Sequence, residues 1–257
     1  MKYGICPLSI VPVRREAADS SEQVTQLLFG ESYRILRETK KWVHIETSFD
    51  RYEGWIDAKQ VHYLEKSEYE ELAKETHVMT TDLVDVVMNE ETNRMIPIVM
   101  GSSLPRYSNG SCRFGGLSFR YEGAVSQSDA PKTQLVENAF MYLHAPYLWG
   151  GRSPFGIDCS GFTQLVYKMN GIRLYRDASQ QATQGEVLSF IEETQPGDLA
   201  FFDNNEGVIT HVGIILEENQ IIHASGQVRI DRLDQQGIFN ADARTHTHKL
   251  RLIKKVI

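Results

Sequence analysis

Short runs in which apolar and polar residues alternate make up the first quarter of the chain. Such runs begin near Gln26, Tyr33, Trp42 and Gly54, and turn residues such as Gly30 separate them. Alternation with a period of two is typical of half-buried strands, and regularly spaced short strands predict a small antiparallel sandwich or barrel. We therefore predict an all-β domain over residues 1–66.

A second strand-rich block follows a charged connection. Residues 67–74 are rich in glutamate and lysine, which predicts a solvated helix or a linker. Apolar runs beginning at Val84 and Met95 then alternate with turn residues, among them Asn109-Gly110. We predict that residues 67–127 hold this connection and a second, smaller β domain.

The hydrophobic period changes from two to about 3.6 after residue 127. A first helix is predicted with Ser128 or Asp129 near its N-cap, Pro131 in its first turn and its end at Ala145, because a residue before proline is pushed out of the helical region. One face of this helix is predicted to be apolar, and its members are Leu135, Val136, Ala139, Phe140 and Leu143.

A second helix is predicted to begin at a cysteine. Asp158 is a good N-cap residue, and Asn170-Gly171 is a stop signal. The residues between them carry helical periodicity at Phe162, Leu165, Val166 and Met169. Cys159 then occupies the first helical position, where unpaired backbone N–H groups favour the reactive thiolate.

The last third of the chain returns to strands. Apolar runs are predicted as strands at 199–202, 211–216, 220–224 and 250–253, while residues 175–185 carry no clear pattern. A helix that carries a cysteine and packs on an antiparallel sheet is an α+β arrangement. We therefore predict an α+β domain over residues 128–257.

Composition narrows the possible functions. The 257 residues are 41% hydrophobic, carry a net charge of −7, and include only Cys6, Cys112 and Cys159. The acidic balance argues against a nucleic-acid partner. Widely spaced cysteines suggest neither a disulfide framework nor a zinc ribbon, and His246 and His248 lack supporting ligands, so we expect no metal and no cofactor.

The N-terminal residues bear on the cellular compartment of the protein. The run to Arg15 is broken by Pro7 and Pro12 and has no small-residue cleavage site, so it resembles a strand more than a signal peptide. No run is apolar for long enough to span a bilayer. We expect a cytoplasmic protein without a membrane partner, or a periplasmic one if an upstream export signal has been removed.

A cysteine nucleophile needs a nearby base, and histidine suits that role near neutral pH. His211 and His223 flank a predicted tight turn, and their even separation would place both rings on one face of a hairpin centred near Glu217 or Glu218. Position alone leaves alternatives open, because a lone cysteine is often a buried core residue and a histidine at a strand end is often satisfied by backbone or solvent.

Five segments together carry a family resemblance: Tyr147-x-Trp-Gly-Gly, Asp158-Cys-Ser-Gly-Phe, Pro196-Gly-Asp, His211-Val-Gly-Ile and Ile-His223-Ala-Ser. In order and spacing they resemble the NlpC family of papain-like cysteine peptidases. The resemblance implies that Cys159 is the nucleophile, His211 the general base and acid, and His223 the third, orienting residue. It also implies that the Cys159 backbone N–H and Tyr147 contribute to the oxyanion site.

The first β domain also resembles a known fold. Its motifs at Val13-Arg14, Leu28-Phe29-Gly30, Trp42-Val43 and Gly54-Trp55-Ile56 are similar to bacterial SH3-like barrels that accompany cell-wall enzymes. By position and length, the second block is interpreted as a degenerate SH3-like barrel. The predicted architecture is therefore two small all-β SH3-like barrels followed by a papain-like α+β domain.

The resemblance implies a small murein peptide as substrate. Members with this layout cut between γ-D-glutamate and meso-diaminopimelate or lysine in peptides with a free N-terminal L-alanine, in cell-wall peptide recycling. Asp158 and Ser160 match the positions that read the free amine. We expect Trp149, and Glu53 and Tyr52 of the first barrel, to contribute to substrate binding.

Two alternatives remain at this point. The chain could hydrolyse stem peptides of intact peptidoglycan while SH3-like barrels anchor it to the wall, although the acidic net charge weighs against binding an anionic polymer. It could also be a binding protein for wall peptides with an inactive peptidase domain. No obligate protein partner is predicted.

Overall fold

A computed structural model describes residues 2–75, 78–126 and 131–256 of the chain. The chain divides into two compact units. The N-terminal unit comprises Met1–Ser128 and Trp149–Pro154, and the C-terminal unit comprises Asp129–Leu148 and Phe155–Ile257. The predicted boundary between residues 127 and 128, and the predicted caps Ser128 and Asp129, lie outside the described residues.

The N-terminal unit begins with seven antiparallel strands and a short 3-10 turn at Ala58–Gln60. The strands are β1 (Lys2–Ile5), β2 (Ile10–Arg14), β3 (Gln23–Leu28), β4 (Ser32–Glu38), β5 (Trp42–Thr47), β6 (Glu53–Asp57) and β7 (His62–Leu64). They form one sheet in the order β3-β2-β6-β5-β4-β1-β7. The alternating pattern is confirmed, because inward residues such as Val13, Val43 and Ile45 pack into one apolar core.

The second block continues the same compact unit. It contains α1 (Lys66–Leu72) and six strands, which are β8 (Val78–Met79), β9 (Val84–Asn89), β10 (Met95–Val99), β11 (Ser103–Leu104), β12 (Ser111–Phe114) and β13 (Leu117–Arg120). Four of these strands form a sheet in the order β10-β9-β13-β12, and β8 pairs with β11.

The two blocks share an apolar core. Phe114 and Phe119 of the second block pack with Phe29 of the first, with ring centroids 5.4 and 5.0 Å from Phe29. Leu72 joins the same cluster, so α1 is not solvated on all sides as its charged composition suggested. The second block therefore packs on residues of the first strands, in a cluster distinct from the core around Val13 and Val43.

A short later segment, Trp149–Pro154, also belongs to the N-terminal unit and contains β14 (Arg152–Ser153). The buried guanidinium of Arg152 donates to both carboxylate oxygens of Glu31, at 2.8 and 3.0 Å. Gly150 has a φ of +73°, and an added Cβ would lie 2.4 Å from the Gln23 carbonyl oxygen. The glycine-rich stretch before Cys159 is thus held in part by the N-terminal unit's own contacts.

The C-terminal unit contains three helices, α2 (Lys132–Met141), α3 (Cys159–Met169) and α4 (Ala178–Gln181). Pro131 is the N-cap of α2 rather than a residue of its first turn. The helix ends at Met141, before the predicted end at Ala145, and Phe140 is exposed rather than on the buried face. Within the described residues, no helix is both long and apolar enough to cross a bilayer.

Seven strands of this unit form an antiparallel sheet in the order β16-β22-β17-β18-β19-β20-β21. A further strand, β15 (Gly156–Ile157), precedes α3, and the sheet strands are β16 (Glu186–Leu188), β17 (Leu199–Asp203), β18 (Ile209–Ile215), β19 (Gln220–Ser225), β20 (Gln227–Asp234), β21 (Gly237–Asn240) and β22 (Thr245–Lys255). Because β22 pairs with both β17 and β21, the sheet closes on itself. The sequence pattern missed β16, β20 and β21, the last two of which complete the closure.

All eleven residues of α3 are buried, which goes beyond the single apolar face predicted for it. Polar side chains of this helix make hydrogen bonds inside the unit. Thr163 Oγ1 donates to Gln181 Oε1 at 2.7 Å, and Gln164 Nε2 donates to the Leu174 carbonyl at 3.1 Å. Burial on every side fixes the first residue of α3 rigidly against the sheet.

Candidate active site

Cys159 is the first residue of α3, as predicted. Asp158 is the N-cap, with extended backbone angles, and its Oδ1 accepts a 2.7 Å hydrogen bond from the Gly161 N–H. The helix packs against β18 and β19, the strands that carry His211 and His223. The cap and the packing together present the thiol to this part of the sheet.

Different neighbours of the Cys159 sulfur shift the pKa of its thiol in opposite directions. Burial raises the pKa of the Cys159 thiol to about 12, and the charge of Asp158 adds to this. Hydrogen bonds from the backbone N–H groups of Val212 and Ser160 act to lower it. The Ser160 N–H at the helix start acts towards the thiolate, but desolvation outweighs it. The predicted preference for the thiolate is therefore wrong for the resting site, where the thiol is protonated at neutral pH.

His211 and His223 lie on one face of the β18-β19 hairpin, which confirms the prediction from their even separation. His211 Nε2 and His223 Nδ1 are 2.8 Å apart, and the two rings meet nearly at right angles. Val212, whose N–H bonds the Cys159 sulfur, is the neighbour of His211. Because Nε2 of His211 is hydrogen-bonded to His223, Nδ1 is the ring nitrogen that can exchange a proton with the Cys159 thiol.

Gly213 makes room for the second histidine. A Cβ at this position would lie 2.9 Å from the Cβ of His223 and 2.7 Å from the Cδ1 of Ile221. Real Cβ atoms do not approach other carbon atoms that closely, so a larger residue would force β19 or the His223 ring to shift. The glycine of the His-Val-Gly-Ile segment therefore has a packing role beside the two imidazoles.

A buried acid that the sequence pattern did not identify extends the histidine pair. Asp231 on β20 has its Oδ2 3.0 Å from His223 Nε2, and both residues are buried. Arg229 donates to both oxygens of Asp231, at 2.7 and 2.9 Å. The sequence offered one signal for Asp231, its even separation of eight residues from His223. That signal could not be used, because β20 itself was not predicted.

A third histidine covers the ring of His211. The His248 ring stacks on it with a centroid distance of 4.2 Å and an interplanar angle of 28°. Burial lowers the pKa of His248 to about 4, and the nearby His223 adds to this. His246, the other histidine of this strand, instead bonds Asp234 at 2.9 Å. The two histidines therefore have separate surroundings.

The imidazole of His211 is neutral near pH 7. Burial lowers its pKa well below the usual value, and the neighbouring His223 and His248 act in the same direction. A neutral imidazole can accept a proton, which is the property that a general base requires. The resting site therefore pairs a neutral thiol with a neutral base.

Tyr147 belongs to the same site. Burial, the largest cause, and the neighbouring Cys159 and Asp158 raise the pKa of the Tyr147 phenol to about 12. The phenol is thus protonated at neutral pH and can donate a hydrogen bond. The Tyr147 N–H donates to the Gly226 carbonyl at 3.0 Å, which ties this segment to the turn after β19.

Asp158 and Ser160 share a partner that the sequence pattern did not identify. The buried Arg176 donates to Asp158 Oδ2 at 2.5 Å, to Oδ1 at 3.0 Å and to Ser160 Oγ at 2.9 Å. Ser160 Oγ also donates to Asp158 Oδ1 at 3.3 Å. The acid beside the nucleophile is therefore balanced by a cation, in addition to capping the helix.

The site matches a known family in both sequence and position. Residues 144–246 match the NlpC/P60 family, and residues 13–61 match the bacterial dipeptidyl-peptidase SH3 domain. A protein of Bacillus subtilis named γ-D-glutamyl-L-lysine dipeptidyl-peptidase is 30% identical over 217 residues, which cover 78% of this chain and 71% of the relative. The chain belongs to the NlpC/P60 family.

Two further comparisons agree with membership of the NlpC/P60 family. Dipeptidyl-peptidase 6 of Lysinibacillus sphaericus is 28% identical over 242 residues, which cover 84% of this chain and 86% of that protein. The crystal structure of an NlpC/P60 family protein from Bacillus cereus aligns over 99% of both chains with a TM-score of 0.82 at 20% identity, which supports the fold. This NlpC/P60 protein is a cysteine peptidase with an N-terminal SH3 domain.

Three residues predicted to bind substrate lie in the N-terminal unit of this NlpC/P60 protein. The exposed Trp149 donates its indole N–H to Glu22 at 2.7 Å. Glu53 faces His44 at 3.5 Å, and Tyr52 packs beside the core of the first strands. These contacts belong to the N-terminal unit itself, and the substrate-binding roles of Trp149, Glu53 and Tyr52 stay predictions.

Proposed function

We propose that this protein hydrolyses the amide bond between γ-D-glutamate and a diamino acid in murein peptides, using Cys159, His211 and His223. The observation that carries the proposal is the placement of a cysteine at a helix start against a hydrogen-bonded histidine pair. The names of relatives similar to this chain over most of its length support the choice of bond.

The first chemical step follows from the protonation states of the resting site. His211 Nδ1 takes the thiol proton of Cys159 as the sulfur attacks the carbonyl carbon of the substrate, so sulfur bonds to carbon while an oxyanion and an imidazolium form. Deprotonation coupled to attack suits a thiol whose pKa is raised and a histidine whose pKa is lowered. His223 accepts from the imidazolium and holds its plane.

The remaining steps return the enzyme to its starting state. The developing oxyanion is placed to accept from the Tyr147 phenol and the Cys159 backbone N–H, which stabilises the transition state. The imidazolium of His211 protonates the leaving amine and the C–N bond breaks, which leaves a thioester. His211 then takes a proton from water, and the resulting hydroxide bonds to the thioester carbon. The C–S bond breaks to release the carboxylic acid product, and the proton passes from His211 to the sulfur.

We propose that Asp158 and Ser160 bind the free N-terminal amine of the substrate. A carboxylate has several acceptor positions, so a helix cap can still accept from a ligand. Arg176 already donates to both oxygens of Asp158, so an incoming amine shares the carboxylate with a cation. This sharing makes the Ser160 hydroxyl, which can turn, an important part of the proposed amine site.

Two wider proposals accompany the activity. We propose that the released products enter cell-wall peptide recycling in the cytoplasm, since small peptides with a free amine are products of prior wall turnover. We also propose that the four-stranded block around β9 and β13 is a degenerate second SH3-like barrel, which its short antiparallel strands support.

A mass-spectrometric assay on defined peptides tests the activity. The substrates are L-Ala-γ-D-Glu-L-Lys, its meso-diaminopimelate counterpart, and both peptides with an acetylated N-terminus. We expect release of L-Ala-γ-D-Glu from the free peptides and at least a tenfold lower kcat/KM for the acetylated ones. Cys159→Ala should abolish release, whereas Cys112→Ala, a buried cysteine of the N-terminal unit, should not.

The alternatives give different results in the same assay. Release of fragments from whole sacculi without cleavage of the free peptides would indicate a hydrolase of intact peptidoglycan. Binding of the peptides without cleavage by either unmodified protein or Cys159→Ala would indicate a binding protein. Equal rates on free and acetylated peptides would overturn the proposed amine site while leaving the peptidase activity intact.

A further inference from the structure

A line of hydrogen bonds connects the catalytic histidine to a buried carboxylate two strands further along the sheet. His211 on β18 contacts His223 on β19 at 2.8 Å, and His223 contacts Asp231 on β20 at 3.0 Å. Each contact uses a defined ring nitrogen, Nε2 of His211 with Nδ1 of His223, and Nε2 of His223 with Oδ2 of Asp231. All three residues are buried.

Asp231 is held as a carboxylate. Its side chain is almost inaccessible to solvent, and Arg229 donates to both of its oxygens. Burial acts to raise the pKa of Asp231, but the hydrogen bonds from His223 and Arg229 bring it below its usual value. Arg229 also donates to the exposed Asp242 at 2.9 Å, so the cation is shared between an inner and an outer acid.

A carboxylate can only accept hydrogen bonds, and this fixes every proton along the line. His223 must carry its proton on Nε2 to donate to Asp231, so Nδ1 of a neutral His223 is an acceptor. His211 must then carry its proton on Nε2 to donate to His223. The remaining nitrogen of His211, Nδ1, is thereby left unprotonated, which is the form that can remove the thiol proton.

We propose that Asp231 is a positioning residue that sets the tautomer of His211 through His223. The inference depends on the proposed catalytic roles of Cys159 and His211, and adds a fourth member to their line. The same arrangement accommodates the charged state, because an imidazolium at His211 still donates from Nε2 to His223. No proton has to leave His223 during the reaction.

Other titratable groups around the pair do not supply this function. His248 on β22 stacks on the face of His211, where it makes no in-plane hydrogen bond with either ring nitrogen, and its ring centroid lies 5.6 Å from that of His223. Arg229 and Asp242 reach the line only through Asp231. Among the described residues that contact the His223 ring, Asp231 is the group that can select one of its two tautomers.

The matched variants are Asp231→Asn and Asp242→Asn. Asparagine keeps the shape of Asp231 but can donate to His223 Nε2, which permits the opposite tautomer at both histidines. We expect kcat on L-Ala-γ-D-Glu-L-Lys to fall about 100-fold or more, in line with the cost of a wrong histidine tautomer in serine proteases, with KM within about twofold. Asp242→Asn should keep kcat within about twofold.

Nitrogen-15 NMR of histidine-labelled protein supplies a readout that needs no substrate. In the unmodified protein we expect His211 and His223 both to be protonated on Nε2 and not on Nδ1 at pH 7. In Asp231→Asn we expect signal from the Nδ1-protonated form at one or both rings. Backbone amide spectra confirm that the variant is folded.

Each contrary outcome has a distinct meaning. Protonation of His211 on Nδ1 in the unmodified protein overturns the inference even if no variant folds, and so does full activity of Asp231→Asn. Loss of activity in Asp231→Asn with unchanged tautomers would reduce Asp231 to a structural residue. Full activity of Cys159→Ala would instead refute the proposed function, whatever the state of Asp231.

Discussion

The guanidinium of Arg176 pairs with the carboxylate of Asp158, the residue immediately before the proposed nucleophile. Two N–H groups of Arg176 reach the two oxygens of Asp158, and Arg176 is 1% exposed. The carboxylate is thus shared between the cap of α3 and a buried ion pair. This links the position of Cys159 to an arginine that lies 18 residues from Asp158 along the chain.

Replacing Arg176 by methionine should therefore destabilise the protein strongly. The change leaves the carboxylate of Asp158 buried without its cation, which costs about 3–5 kcal/mol when one partner of a buried pair is removed. Urea denaturation should show the loss as a lower midpoint. Lys255→Ala, at an exposed position, should change the unfolding free energy by less than about 0.5 kcal/mol.

A double variant makes this prediction specific. Asp158→Asn together with Arg176→Met removes both charges, so we expect it to recover part of the stability lost in Arg176→Met alone. If the double variant is less stable than the sum of the two single changes, the two residues do not form the ion pair described here.

The pH dependence of activity should reflect the lowered pKa of His211. A base works only when unprotonated, so activity falls as pH drops through its pKa. Because burial and two neighbouring histidines lower this pKa well below the usual value near 6.5, we expect kcat/KM to hold constant from pH 7 to 6 and to fall only at lower pH. An acid limb with a midpoint at or above 6.5 would contradict it.

Alkylation by iodoacetamide should report the raised pKa of Cys159. A thiol with a pKa of about 12 becomes more reactive throughout the range from pH 7 to 10, whereas a preformed thiolate would react at a constant rate there. Peptide mass spectrometry gives the rate at each cysteine. Cys6 and Cys112, which are deeply buried with their pKa values also raised to about 12, should remain unmodified in the folded protein.

Gly213→Ala should impair catalysis by displacing His223. The added methyl group would lie within 3 Å of side-chain atoms of both Ile221 and His223, so the second imidazole or its strand must move. We expect kcat to fall at least about tenfold and stability to fall by about 1–3 kcal/mol, as overpacking does. Thr210→Ala, an exposed change on the same strand, should leave kcat unaltered.

Tyr147→Phe tests the proposed oxyanion donor. Removing one such donor lowers kcat about 100- to 1000-fold in enzymes that stabilise a tetrahedral intermediate, and a phenol with its pKa raised to about 12 is a competent donor at neutral pH. Steady-state kinetics should therefore show a loss in kcat larger than any change in KM. Tyr175→Phe, at an exposed tyrosine, is the matched control, and equal kinetics of both variants would refute the role.

Much of the fold followed from local pattern. Alternating residues indicated strands in the first domain, and apolar runs indicated β18 and β19. Asp158 and Asn170 mark both ends of α3. The sequence pattern gave wrong predictions where the burial of a side chain depends on residues that are distant along the chain. Phe140 has helical spacing but is exposed. Strand β20 was missed because Arg and Asp residues interrupt its apolar positions, and β21 was missed because it holds only four residues.

The candidate site divides in the same way. A helix cap, a tight turn and an even separation, each encoded within a few residues, placed Cys159, His211 and His223. The resemblance to the NlpC family then selected them as catalytic. Arg176 and Asp231 could not be identified as site residues from the sequence, because an arginine or aspartate in a polar run usually indicates a solvated surface. Both are buried, and each is stabilised there by an oppositely charged partner.

The sequence pattern by itself thus placed a cysteine at a helix start and two histidines on one face of a hairpin. It could do so because both placements depend only on the periodicity of the backbone. The closed sheet determined which charges flank them. Asp231 reaches His223, and Arg176 reaches Asp158, only because packing brings separate segments within hydrogen-bond distance. Burial then sets the protonation states, because desolvation depends on every neighbouring segment and not on the residues that carry the protons.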